Sequence, residues 1–157
     1  MKSTVVLRRN FCLGLLGVAL AANALAAEFG TPAEAEAMTK KAVAYIKSVG
    51  SEKAAEEFTN GKMFKDRDLY ISYVDFNGKG IAHGANPKLV GKELIGFKDP
   101  DGKLLVQMAI DIAKTKGHGW TESYKFKNPM TEKMQEKVMY VERVADSNTY
   151  VAVGVYK

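Results

Sequence analysis

Cysteine is nearly missing from this chain. Its one thiol, Cys12, stands ahead of an apolar run rather than at the end of one, so no intramolecular disulfide and no lipoprotein-type attachment cysteine are available. Histidine is almost as scarce. His83 and His118 have no cysteine companion and no H-x-x-x-H spacing, which leaves no recognisable zinc or haem arrangement. No G-x-S-x-G turn occurs, and Ser72, Ser123 and Ser147 have no evident histidine and acid partners, so no activated nucleophile is legible. Asp and Glu fall mostly on expected helix faces and turns rather than in a facing catalytic pair. The expectation is a protein without catalysis, metal or cofactor.

Long apolar runs are missing as well. The one apolar stretch of note, Phe11 to Leu25, is too short to span a bilayer. It follows Lys2, Arg8 and Arg9 and ends in Ala24-Leu25-Ala26, the layout of a secretory signal cleaved after Ala26 or Ala27. Arg8-Arg9-Asn10-Phe11 faintly resembles a twin-arginine signal, but Leu7 stands where Ser or Thr is usual, and the general secretion route is favoured. The expected organisation is therefore a signal peptide over 1–27 and one exported domain over 28–157, periplasmic or secreted. Cys12 leaves with the signal. The formal charge of +5 loses Lys2, Arg8 and Arg9 and becomes +2, which removes any electrostatic case for nucleic acid as a partner. The remaining length suits one domain with one core and no cross-links.

Within that domain the periodicity changes once. Thr31 to Val49 reads as a helix, with Thr31 as cap, Pro32 in the first turn and Glu34 completing a capping box. Met38, Ala42, Tyr45, Ile46 and Val49 form its apolar stripe. Ser51 is expected to cap a shorter helix over 52–58. Period two then takes over: a strand at 68–76, a turn at 77–80 and a return strand from 81. A glycine-containing loop leads to a helix over 103–116, with Leu104, Leu105, Met108, Ile112 and Ala113 expected on its buried side. Strands at 119–127, 136–145 and 149–156 close the chain. The pattern predicts an α+β layer, an antiparallel sheet with helices mostly on one face.

Two acidic stretches, "DFNGKG" at Asp75 and "DPDG" at Asp99, imitate calcium loops but lack the terminal Glu, and they read as turns. The segment "KGHGWTESYKFKNP" is more informative. On one continuous strand Trp120 and Tyr124 share a face. Lys137 enters the next strand, and Tyr140 joins it on one face only across a bulge. A lysine in so apolar a segment calls for an anion, because a buried ammonium is otherwise costly. A small carboxylate fits, with an aromatic wall beside it.

The ordered set of "DLYISYVDFNGKGIAHGANPKLVGKEL", "DPDGKLL", "GHGWTESYKFKNPMTEKMQEKVMYVERV" and "YVAVGVY" resembles the single Cache domain family, the extracytoplasmic PAS-like sensor module of bacterial chemoreceptors and histidine kinases. The resemblance implies a long N-terminal helix along a PAS-like antiparallel sheet and a pocket for a small organic acid. Tyr70, His83, Trp120, Tyr124, Lys137 and Tyr140 occupy the positions implied for ligand contact. Lys137 would pair with the carboxylate, His83 and the tyrosines would donate hydrogen bonds, and Trp120 would bound the cavity. No kinase, methyl-accepting or cyclase segment is read after the last strand, so a free-standing version that hands its ligand state to a membrane histidine kinase or chemoreceptor is expected. The alternative is an interaction subunit with a vestigial pocket, dimerising through the N-terminal helix.

Overall fold

The structure, a computed structural model, describes residues 28–157. The expected signal peptide, 1–27, lies outside the described residues. Helix α1 (Pro32–Val49) starts with the capping box read from sequence: Glu34 N–H donates to Thr31 Oγ1, and Thr31 N–H donates to the Glu34 carboxylate. Helix α2 (Ser51–Asn60) follows after Gly50, whose φ of 86° suits a residue without Cβ. Ser51 is not its cap, contrary to expectation: Gly50 holds that position, and the Ser51 hydroxyl bonds the Tyr73 hydroxyl at 2.9 Å.

Among the described residues, seven antiparallel strands make one sheet: β1 (Lys65–Asp66), β2 (Leu69–Asp75), β3 (Gly80–His83), β4 (His118–Trp120), β5 (Tyr124–Lys127), β6 (Met134–Val144) and β7 (Thr149–Tyr156). Strand β2 carries β1 and β3 along its length, β7 and β6 lie inside, and β4 and β5 follow one another along β6. The fold is α+β, as the sequence pattern implied. Among the described residues, no helix is long and apolar enough to cross a membrane.

The sheet's two faces do different jobs. On β7, Val151, Val153 and Val155 point to α1 and α2 and join Ile71, Tyr73, Ala42, Ile46 and Phe58 in the main core. Tyr150, Ala152 and Gly154 alternate with them onto the opposite face. There helix α3 (Leu105–Thr115) packs with Val74, Leu94, Val141 and Tyr150. Its buried side is Leu105, Val106, Ala109, Ile110 and Ala113; Leu105 and Ala113 were expected there, whereas Leu104, Met108 and Ile112 give way to Val106, Ala109 and Ile110. The helix begins at Leu105 and lays its alanines on the sheet, where a small side chain permits close approach, while Leu104 stays half-exposed.

The segment between β3 and α3 folds over this second face. Both suspected calcium stretches are turns within or beside it. Asp75 Oδ1 accepts from the N–H groups of Asn77 and Lys79, each at 2.9 Å. Asp99 accepts from the N–H groups of Asp101, Lys103 and Lys125 at 2.8–3.0 Å, which fastens the segment to β5. Those donors, Lys125 first, hold the Asp99 carboxyl below the usual carboxylate range. Among the described residues, no three metal-ligating side chains gather.

Candidate functional site

Lys137 is the centre of the second face. It stands on β6 and is only 3% exposed. The chain makes space for it at Gly154 on the adjacent strand β7: a Cβ there would lie 2.0 Å from Lys137 Cε. The lysine stem therefore lies flat across β7 because that strand has a hydrogen where any other residue has a side chain. Its Nζ donates to Tyr70 Oη at 2.8 Å and to Tyr156 Oη at 3.1 Å. The ammonium also sits 4.3 Å from each of those ring centroids and 5.1 Å from that of Phe126. It forms no ion pair with any carboxylate among the described residues. An ammonium has three donors, and two are placed on protein, leaving one N–H.

The hydroxyl protons around it are also directed. Tyr156 Oη donates to the Lys127 carbonyl at 2.9 Å, so that proton is committed. Tyr70 Oη accepts from Lys137, and its nearest other hydroxyl is Tyr156 Oη at 3.5 Å, too long for an O–H···O bond. Its own proton is therefore free to donate into the cavity.

His83, on β3, is buried beside Tyr70, ring centroids 5.1 Å apart. Asn86 N–H donates to its Nδ1 at 3.0 Å, which fixes the tautomer: Nδ1 accepts, and Nε2 carries the hydrogen. Burial, and then the Lys137 charge, push its pKa down to about 4, so the ring is neutral at ordinary pH and offers one donor.

These groups line a cavity of about 60 Å³ between the sheet and the segment that folds over it. Its polar lining residues are Tyr70, Ser72, His83, Tyr124, Lys137 and Tyr150. Leu89, Leu94, Phe97, Leu105, Val106 and Met139 supply the apolar wall. Among the described residues, no Asp or Glu lines it. A wider cleft of about 340 Å³ shares Tyr70, His83, Leu89 and Phe126 with it and continues past Asn86, Lys127 and Glu132. Electrostatically the cavity is a cation among hydroxyl groups and hydrocarbon, and such a place favours one negative charge.

The structure brings four of the six sequence-selected residues together: Tyr70, His83, Tyr124 and Lys137 all line this cavity. It takes Trp120 and Tyr140 away. Tyr140 is three residues from Lys137, and β6 pairs with β7 in unbroken register from Lys137 to Val144, so nothing reverses the alternation between them. Trp120 is directly opposite Tyr140 in the ladder, and the rings are 5.3 Å apart. The expected continuous strand over 119–127 is in fact two. Trp120 pairs with Tyr140 and Tyr124 pairs with Lys137, so residues 121–123 stand opposite only 138 and 139. That extra residue is a bulge, fastened by Thr121 N–H to the Met139 carbonyl at 2.9 Å and Met139 N–H to Thr121 Oγ1 at 3.0 Å. It puts Trp120 and Tyr124 on opposite faces. Trp120 is 37% exposed on the α1 side, where Tyr140 Oη meets His118 Nδ1 at 3.2 Å.

Sequence reasoning selected four of the lining residues and missed the others, Tyr150 and Gly154 among them, as well as Tyr156, whose hydroxyl accepts from the ammonium. The signal for these three was available in β7, where Tyr150, Ala152, Gly154 and Tyr156 alternate with three valines. A face of valines packs, whereas a face of tyrosine, alanine and glycine leaves room.

Comparison with known proteins places this geometry. The chain is 29% identical over 91 residues to methyl-accepting chemotaxis protein McpP of Pseudomonas putida, covering 58% of this chain and 16% of that protein. It is equally identical over 91 residues to sensor histidine kinase MctS of Rhizobium johnstonii, covering 57% and 19%. The chain thus spans less than a fifth of the length of these curated relatives. Among solved structures, a methyl-accepting chemotaxis protein from Vibrio parahaemolyticus superposes with a TM-score of 0.67 at 25% identity, over 79% of this chain and 86% of that one. A Cache chemosensory domain solved for its carboxylic acid recognition gives a TM-score of 0.66 at 23% identity, over 79% and 91%, a likeness of fold. Over residues 30–157 the chain matches the family described as Single Cache domain 2, and it belongs to that family of PAS-like, extracytoplasmic, ligand-binding sensor domains.

Proposed function

We propose that this domain senses a short organic acid outside the cytoplasm and passes its bound state to a membrane signalling partner, a histidine kinase or a chemoreceptor. Residues 1–27 act as the export signal and 28–157 as the sensor. The observation that carries this reading is the Lys137 ammonium, buried beside a cavity and without a carboxylate partner among the described residues. A carboxylate guest accepts its remaining N–H together with the Tyr70 hydroxyl and His83 Nε2–H. Charge-assisted hydrogen bonds of this kind contribute about 1.5–3 kcal/mol each. The volume has room for on the order of four to six water-sized groups, which suits an acid of two to three carbons. The fold it shares with a Cache domain known for carboxylic acid recognition agrees with this choice.

Isothermal titration of the domain with acetate and propionate tests the reading. Saturable binding by the wild type, on the order of micromolar, and its loss in Lys137→Met are expected. Lys137→Met keeps the stem and removes only the charge, so the fold survives it. Wild-type affinity in that variant would assign recognition to other groups, and a wild type that takes up no short acid would favour an interaction subunit with a vestigial pocket.

A further inference from the structure

The two acidic turns have the same inner bonding and different outer bonding. In each, one carboxylate oxygen accepts from the N–H groups two and four residues on: Asp75 Oδ1 from Asn77 and Lys79, both at 2.9 Å, and Asp99 Oδ1 from Asp101 at 3.0 Å and Lys103 at 2.8 Å. Any Asp or Asn can do this much for a turn. The Asp75 carboxylate accepts nothing else among the described residues. Asp99 is buried, and its Oδ2 reaches across to β5, where it accepts from Lys125 N–H at 3.0 Å.

The segment that folds over the pocket is held in two ways. Up to Leu94 it is stitched to the β2–β3 turn by backbone bonds: Gly80 N–H to the Lys92 carbonyl at 2.9 Å, and Gly91 N–H to the Gly80 carbonyl and Leu94 N–H to the Gly78 carbonyl at 2.7 Å. From 95 to 103, among the described residues, no backbone–backbone bond reaches β5. This half is a small hairpin in which Lys98 pairs with Leu104, and Phe97 and Leu105 at its base line the pocket. Phe97 meets Phe126 there, ring centroids 6.2 Å apart. Strand β5 has a ladder with β6 on one edge, and Tyr124 and Phe126, on either side of Lys125, are wall residues. The Asp99–Lys125 bond thus joins a loose hairpin to the free edge of a short strand, between two residues that face the guest. The flanking links, Lys103 Nζ to the Ser123 carbonyl and Lys125 Nζ to Asp101 at 3.1 Å, lie nearer the surface and hold less.

We propose that Asp99 is a positioning residue for the guest of this pocket: its second oxygen latches the 95–104 hairpin onto β5 and keeps Phe97, Tyr124 and Phe126 closed around the bound molecule. The latch acts on the pocket read above as an acid site, and rests on that reading. Asparagine cannot replace this aspartate. An amide has one acceptor oxygen, and the two N–H groups of the turn claim it. The amide NH2 then faces the Lys125 N–H, donor against donor. At Asp75 the same change loses no bond, because one oxygen does all the accepting.

Native-state amide exchange at Lys125, together with isothermal titration with propionate, compares the wild type, Asp99→Asn and Asp75→Asn. In Asp99→Asn the Lys125 amide is expected to exchange at least about tenfold faster, and propionate to bind at least about fivefold more weakly. Asp75→Asn should change both by less than about twofold. In the wild type, saturating propionate should slow Lys125 exchange at least about threefold, a readout that stands even if Asp99→Asn fails to fold. Propionate that binds Asp99→Asn as tightly as the wild type, or that binds the wild type without slowing the Lys125 amide, overturns the positioning role and leaves the acid-sensing reading intact. Equal losses in the two variants reduce both aspartates to turn formers and overturn it as well. If propionate does not bind the wild type, the acid-sensing reading falls and the positioning role falls with it.

Discussion

Adding one methyl group at Gly154 should empty the pocket of its charge without unfolding the protein. The new Cβ would stand 2.0 Å from Lys137 Cε and 3.1 Å from its Cδ. Carbon atoms rest at about 3.5–4.0 Å, so the overlap with Cε is about 1.5 Å, more than a small shift of either strand absorbs. The flexible member is the lysine stem, which must leave β7 and carry Nζ away from Tyr70 and Tyr156. The backbone itself accepts alanine, because Gly154 is not among the positions with positive φ. The valines of β7 lie on the other face and keep their packing. Replacing glycine where the conformation permits it stabilises by about 0.4–1 kcal/mol through the unfolded chain. Against this stand two lost ammonium–phenol bonds, partly offset because the freed ammonium regains water. The net change in unfolding free energy is expected to stay within about 1 kcal/mol.

Binding behaves differently. Removing one partner of a buried hydrogen-bonded charge pair costs about 2–5 kcal/mol, and about 2 kcal/mol already corresponds to a roughly 30-fold loss of affinity. Urea unfolding of Gly154→Ala beside isothermal titration of the same sample with a short acid separates the two effects. Near-normal stability with affinity lowered at least 30-fold is the expected pair of results. An alanine variant that binds the acid as tightly as the wild type would refute the claim that the ammonium must lie across β7 to do its work.

Two further outcomes follow from the geometry. Trp120→Ala removes a ring on the α1 side of the sheet, so acid affinity should change by less than about twofold although stability drops by roughly 1 kcal/mol with the Tyr140 contact; titration and urea unfolding on one preparation check both. His83 gives a pH signature. Below its ordinary value of 6.5 the unfolded chain takes up a proton here that the folded chain refuses until about 4, so stability should fall as pH drops through that window, by up to about 1.4 kcal/mol per pH unit. His83→Gln should flatten the slope measured by urea unfolding between pH 6 and pH 5, and an unchanged slope would place the titrating group elsewhere.

Local chemistry made most of the fold legible. Helix α1 carries its own start signal in Thr31, Pro32 and Glu34, and each did what its side chain permits. The turn at Asn77-Gly78 is marked by a residue whose φ of 87° glycine tolerates. The end strands show in their β-branched runs. Helix α3 was legible as a helix but not in its orientation. Periodicity picked out Ala113 but gave the remaining weight to leucine, methionine and Ile112, whereas Ala109, as fully buried as Ala113, was passed over. Which stripe is buried depends on the surface it meets, and that surface comes from strands elsewhere in the chain.

The site divides along a similar line. Lys137 could be read because a charge within an apolar strand stands out whatever its neighbours are. Trp120 misled for the opposite reason: its size attracts attention, but its facing depends on a single inserted residue whose position is set by pairing with β6, not by anything in 119–127 alone. A bulge leaves no strong mark in composition, since Thr121, Glu122 and Ser123 would suit a regular strand edge equally well. Gly154 and Tyr156 were overlooked because each looks ordinary until the strands are paired. Once β6 lies against β7, the absent side chain of Gly154 and the hydroxyl of Tyr156 become as necessary to the ammonium as the lysine itself. The recognition unit is therefore not a string of residues but a place where one strand lacks a side chain and its neighbour has a long one. A sequence search for such a pocket does better to look for glycine and tyrosine alternating with valine on one strand, opposite a lone lysine on the next, than for the largest aromatic in the chain.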